Sequence, residues 1–104
     1  MLRTVTPAAV LLLAATTTWA AEGAAVYKTN CAKCHGDTGH ADTSVAKAMK
    51  VPALAGDEKV ASMADADVVT RIKTNQKHAA FIKSLSDDDV TAVAAYVKKL
   101  AGAK

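Results

Sequence analysis

The chain has 104 residues with a formal net charge of +3, and 51% of its residues are hydrophobic. This length predicts one domain. The small basic excess excludes the charge pattern expected of a nucleic-acid-binding protein.

The N-terminal segment has the pattern of a secretory signal peptide. Arg3 supplies a short basic region, 7–15 is an apolar run, and small residues follow it. The apolar run is too short to span a bilayer, so removal is expected rather than anchoring. We predict a cleaved signal peptide over 1–20 and an exported domain over 21–104, although the residues also permit cleavage one position later.

A first helix of the mature chain is predicted over 22–33. Tyr27 and Cys31 lie four residues apart in it and therefore share a face. Gly36 is predicted to end this helix.

The end of this first helix carries the most informative motif of the chain. Cys31 and Cys34 are separated by two residues, and His35 follows the second thiol directly. This C-x-x-C-H pattern is typical of covalent haem attachment. The two thiols add across the two vinyl groups of haem, and the histidine is then brought under the ring as the proximal iron ligand.

Two other interpretations of the cysteine pair are weaker. A redox dithiol of the thioredoxin type needs a βαβ context, and no strand-like run flanks the motif. A structural zinc site needs four ligands, and only His40 and His78 could complete one, at spacings that resemble no zinc finger. Export also favours haem, because covalent attachment of this kind takes place outside the cytoplasm.

A second, short helix is predicted over 43–50. Asp42 or Thr43 is suited to cap it, and Pro52 stops it. The residues that follow, 51–54, are predicted as an apolar loop.

A third helix is predicted to begin at Ser62, because Ser62 and Asp65 have the spacing of a capping box. It is predicted to end near Thr74, with Asn75 as a left-handed terminating residue. The stretch 76–85 is predicted as a loop.

The last helix is predicted to begin at Ser86 and to end at Gly102. Ser86 and Asp89 have capping-box spacing, and three consecutive carboxylates stand at the positive end of the helix dipole. No strand is predicted, so the fold class is all-α. The apolar stripe of this helix comprises Val90, Val93, Ala94, Val97 and Leu100.

The mature chain resembles the class I c-type cytochromes, which are small monohaem electron carriers. The resemblance implies a cytochrome c fold of three to four helices around one haem c, bound covalently through Cys31 and Cys34. It also implies that the first and last helices cross near Gly23, Tyr27 and Tyr96. The landmarks that carry the resemblance are 23–27, 31–36, 51–54, 71–73 and 85–97.

One stretch departs from this family at the sixth iron ligand. The family usually carries a methionine before the last helix, in a stretch such as Gly-Lys-Met-Pro-Ala-Phe. Here 76–81 reads Gln-Lys-His-Ala-Ala-Phe, so His78 replaces the methionine and Ala79 the proline. We therefore predict bis-histidine ligation by His35 and His78. The reduction potential is then a few tenths of a volt below that of methionine-ligated relatives, since axial ligation moves haem potentials over roughly 0.8 V.

Two alternatives to His78 are open. Met49 or Met63 could bind the iron, although methionine at helical spacing is more often a packing residue. The sixth position could also be open or filled by water. His40, in a polar loop, is interpreted as a surface residue.

The resemblance implies roles for Pro52 and Arg71, and other residues are further candidates for the haem site. The Pro52 carbonyl accepts a hydrogen bond from the His35 imidazole. Arg71 pairs with a haem propionate or, equally, is a solvated helix residue. Leu54 and Phe81 pack on haem or in the core. Seven lysines could ring the haem edge and steer acidic redox partners, or they could be merely scattered over the surface. They are Lys28, Lys33, Lys47, Lys50, Lys73, Lys77 and Lys83.

The implied function is a periplasmic electron carrier rather than an enzyme. A six-coordinate iron has no open position for substrate, so electrons pass through the haem edge to redox partner proteins. A monomer without nucleic acid and without stable membrane insertion is expected. The alternative is a gas- or anion-binding sensor with a displaceable His78, and peroxidase-like turnover ranks third.

Overall fold

The computed structural model describes residues 19–103, whose regular elements are all helices, with no strand among them. This confirms the all-α prediction. The predicted signal peptide, 1–20, lies almost wholly outside the described residues. The elements in chain order are α1 (Trp19–Asn30), α2 (Ala32–His35), α3 (Ser44–Met49), α4 (Glu58–Ser62), α5 (Asp65–Thr74), the 3₁₀ turn η1 (Gln76–His78), α6 (Ala79–Ile82) and α7 (Asp87–Gly102).

The last helix, α7, is the element on which the others pack. Helices α1, α4 and α5 all contact it, and its predicted apolar stripe is buried or half-buried. Tyr27 of α1 is fully buried here and packs against Tyr96 of α7, with ring centroids 5.2 Å apart. The cluster of buried residues comprises Tyr27, Ala32, Val68, Val93, Ala94 and Val97.

The crossing of α1 and α7 depends on Gly23. A Cβ atom at this position would overlap the Ala92 carbonyl group and lie 3.1 Å from the Tyr96 Cβ. The two backbones therefore approach more closely than any side chain larger than hydrogen allows. This confirms the predicted crossing near Gly23, Tyr27 and Tyr96.

Three predicted helix ends are confirmed. Ser86 and Asp89 form a full capping box at the start of α7, with both hydrogen bonds at 3.1 Å. The Thr43 hydroxyl caps α3 by accepting the Ala46 N–H. Gly36 follows α2 with φ of +83°, a conformation that favours glycine.

The predicted first helix is interrupted, and the predicted third helix begins too early. Residues 22–33 fall in α1 and α2, which are separated at Cys31. Ser62 ends α4 instead of starting a helix, and its hydroxyl donates to the Glu58 carbonyl at 2.8 Å. Asp57 is the cap that was overlooked, because its carboxylate accepts two backbone N–H groups at the start of α4.

The predictions for Asn75 and for 76–85 are also wrong. Asn75 has φ of −70° and ψ of 119°, so it is not left-handed. Its side chain instead accepts the Lys77 N–H at 3.0 Å and caps η1. The stretch predicted as a loop therefore contains η1 and α6, which carry His78.

Replacing Gly23 with alanine should destabilise the haem-loaded protein by about 1–3 kcal/mol, because overpacking forces α1 away from α7. Denaturant unfolding measures this change. Gly102→Ala is the matched control, since a Cβ atom there meets nothing within 4 Å. Equal stability of the two variants would contradict the close approach at Gly23.

Candidate functional site

The two cysteines lie on a single turn at the junction of α1 and α2. The backbone N–H groups of Cys34 and His35 donate to the Cys31 carbonyl at 3.1 and 2.9 Å. Both cysteines are half-buried free thiols. Because residues three apart in a helical turn are neighbours on its surface, both thiols can reach the same bound group.

The environment of Cys31 argues against a redox dithiol. Burial, with a smaller contribution from the neighbouring Cys34, raises the pKa of Cys31 to about 11. In reactive dithiols the thiol pKa is instead lowered, because the surroundings stabilise the thiolate. Cys31 is therefore a protonated thiol at neutral pH.

Tyr27 braces the motif at both ends. Its carbonyl accepts the Cys31 N–H at 2.8 Å, and its buried hydroxyl donates to the Gly36 carbonyl at 2.7 Å. Burial raises the pKa of Tyr27 above its ordinary value, so the hydroxyl stays protonated and remains a donor. Sequence reasoning placed Tyr27 on the face of Cys31 but missed this role, which depends on the turn at Gly36.

His35 has a half-buried imidazole that is held in the neutral form. Burial is the main cause of its lowered pKa, and the neighbouring His78 adds to it. Neutral imidazole is the form that binds metals. The Nδ1 atom is buried without a hydrogen-bond partner, so the predicted bond to the Pro52 carbonyl is not formed, and Pro52 is exposed.

His78 is oriented by the end of α5. Its Nδ1 lies 2.8 Å from the Ile72 carbonyl oxygen. A carbonyl only accepts, so this Nδ1 carries the proton and the Nε2 lone pair is left for a metal ion. Ile72 is in the last turn of α5, where carbonyls lack partners within the helix. Sequence reasoning missed Ile72, since nothing in 72–78 marks this contact.

The two imidazole rings lie close together, in an edge-on arrangement, although they come from distant parts of the chain. Their centroids are 6.1 Å apart, with an angle of 63° between the ring planes. When two imidazoles bind one metal ion from opposite sides, their ligating nitrogens lie about 4 Å apart. The ring centroids lie further from the metal than these nitrogens, so their separation exceeds about 4 Å. The separation of His35 and His78 therefore fits a haem iron between them.

The apolar candidates differ in how far they are buried. Met49 and Phe81 are the exposed large hydrophobic residues of the described chain, at 43% and 39%. Lys77 connects η1 to the end of α3 by donating to the Met49 carbonyl at 3.4 Å. Leu54 is half-buried and packs on the core.

The other candidates divide between core and surface. Met63 packs against the core, as expected of a packing methionine. His40 is exposed, and its Nδ1 lies 2.6 Å from the Thr38 hydroxyl. Arg71 is exposed on α5, and so are all seven lysines of the predicted ring. Among residues 19–103 no three His, Cys, Asp or Glu side chains are grouped so that they could hold a metal ion.

One comparison with known proteins gives a match. The family model described as cytochrome C oxidase, cbb3-type, subunit III matches residues 19–97. Neither the curated proteins nor the solved structures include a match to the chain. Within the part of the chain that the structure describes, no helix is long and apolar enough to cross a membrane.

Removing the Tyr27 hydroxyl should destabilise the haem-loaded protein by about 0.5–1.5 kcal/mol, because Tyr27→Phe removes one of the two donors to the buried Gly36 carbonyl, which keeps only the Gly39 N–H at 3.2 Å. Chemical denaturation is the measurement. Tyr96→Phe is the control, since it keeps the ring contact with Tyr27. If the control variant lost as much stability as Tyr27→Phe, the brace would not be the cause.

Proposed function

This chain belongs to the cbb3-type cytochrome c oxidase subunit III family of cytochrome c domains, and we propose that it is a monohaem electron carrier with bis-histidine ligation. Family membership implies covalent haem c and electron transfer. The finer proposal depends on one observation: the ring centroids of His35 and His78 lie 6.1 Å apart, a separation that one iron between them can bridge.

Cys31 and Cys34 hold the haem through two thioether bonds. Each bond would form by addition of a thiol across a vinyl group, with sulfur on one carbon and the thiol hydrogen on the other. The bound haem supplies an iron that gains and loses one electron. Tyr27 keeps the attachment turn in place through Cys31 and Gly36.

The two histidines set a low reduction potential. Imidazole stabilises ferric iron more than a thioether does, whereas a methionine ligand raises the potential. The hydrogen bond from His78 Nδ1 to the Ile72 carbonyl makes the ring a stronger donor. Both effects favour the oxidised state, so we assign the protein to the low-potential carriers.

Outer-sphere electron transfer is the activity that this ligation supports. With His35 and His78 both bound to it, the iron would have no position left for a substrate. The partners are redox proteins with acidic docking surfaces, because the seven candidate lysines are exposed and can steer them. We propose that the carrier acts as a monomer.

Export to the periplasm completes the proposal. The segment 1–20 has the signal-peptide pattern, and covalent haem attachment takes place outside the cytoplasm. Cleavage after Ala20 preserves the crossing of α1 with α7 at Gly23. The mature domain is then 21–104.

A second candidate function is a gas or anion sensor. The segment that carries His78 supports it, because neither η1 nor α6 contains a buried residue. A weakly held His78 could leave the iron to an exogenous ligand. The two functions therefore differ in how firmly His78 binds.

Electron paramagnetic resonance of the oxidised, haem-loaded protein should show a low-spin bis-imidazole signal. His78→Ala should convert it to high spin, and His78→Met should raise the potential by a few tenths of a volt. Met49→Leu and Met63→Leu are controls that should leave the signal unchanged. A low-spin signal that survives in His78→Ala would refute ligation by His78.

Carbon monoxide should leave the absorption spectrum of the reduced protein unchanged, because both axial positions are filled. Imidazole added to His78→Ala should restore the low-spin spectrum, which controls for damage to the haem pocket. A spectral change of the native protein under carbon monoxide would favour the sensor.

A further inference from the structure

The backbone of His78 has a conformation that depends on the next residue. His78 has φ of −89° and ψ of −8°, which is helical. The next residue, Ala79, has φ of −54° and ψ of −40°, and its N–H donates to the Gln76 carbonyl. A proline at this position would remove that donor and push His78 toward an extended conformation.

The helical conformation of His78 is what aims its ring. It places Nδ1 at 2.8 Å from the Ile72 carbonyl, with Nε2 on the other side of the imidazole. Asn75 holds the same turn from the other end. Its side-chain oxygen accepts the Lys77 N–H at 3.0 Å, and its carbonyl accepts the His78 N–H at 2.9 Å.

We propose that Ala79 and Asn75 are positioning residues that fix His78 as the sixth iron ligand. This inference rests on the proposed bis-histidine ligation. It goes further because it assigns the strength of the axial bond to two residues that do not touch the iron. Their contribution is to keep η1 and α6 as one continuous turn, from which His78 reaches Ile72 and the iron at once.

Ala79→Pro in the haem-loaded protein is the direct test. The variant should bind exogenous imidazole to ferric iron roughly tenfold or more tightly, because His78 loses its hydrogen bond and competes less well. Ala79→Ser is the matched control, since it keeps the backbone donor and should bind as the native protein does. Equal imidazole affinity of Ala79→Pro and the native protein would overturn the proposal.

A second pair of variants tests the turn without a proline. Asn75→Ala removes the side-chain cap and should also raise imidazole affinity, whereas Asn75→Asp keeps an acceptor and should restore the native value. Nuclear magnetic resonance of the reduced protein supplies an independent readout. The His78 Nδ1 proton should be protected from exchange in the native protein and exposed in both Ala79→Pro and Asn75→Ala.

The outcomes separate this inference from the proposed function. If His78→Ala keeps the low-spin spectrum, the bis-histidine ligation fails and this inference fails with it. If His78→Ala becomes high-spin while Ala79→Pro and Asn75→Ala keep native imidazole affinity and a protected Nδ1 proton, only the positioning roles are wrong.

Discussion

The close approach of α1 and α7 at Gly23 is the constraint on which the site depends. It brings Tyr27 into the core against Tyr96, and Tyr27 then holds the attachment turn at Cys31 and Gly36. The same helix α7 supports α5, whose last turn orients His78. The positions of both imidazoles therefore depend on the packing of α1 and α5 against α7, although His35 and His78 belong to segments with few contacts between them.

The two histidines are held by different means. His35 belongs to a short turn braced by buried groups, so its position follows from the core. His78 belongs to a segment without buried residues, so its position follows from hydrogen bonds to the Ile72 carbonyl and to Asn75. Under the proposed ligation, His35 and His78 would therefore differ in how easily they are displaced from the iron, which is the physical basis of the choice between carrier and sensor.

Features that depend on short sequence separation could be predicted from the sequence. The thiol spacing at Cys31 and Cys34 and the capping box at Ser86 are of this kind. The start of α4 was missed because Ser62 and Asp57 both offer an N-cap, and the side chain that accepts two backbone donors is Asp57. The contact of His78 with Ile72 was missed because it requires the turn at Asn75, and Asn tolerates both left-handed and capping conformations.

Ligation of the haem and docking of a partner should respond differently to salt. Helix α5 carries an ion pair to α7 at each end, Lys98–Asp65 and Lys73–Asp87, both on the surface. Exposed pairs of this kind contribute little to stability in water, whereas Val68 of α5 is buried in the core at 2% exposure. The position of the Ile72 carbonyl therefore follows from apolar burial, which salt screens little.

Steering by exposed lysines is electrostatic and is screened beyond about 8 Å at physiological ionic strength. Ionic strength should thus change how fast partners associate while leaving the proposed axial ligation unchanged.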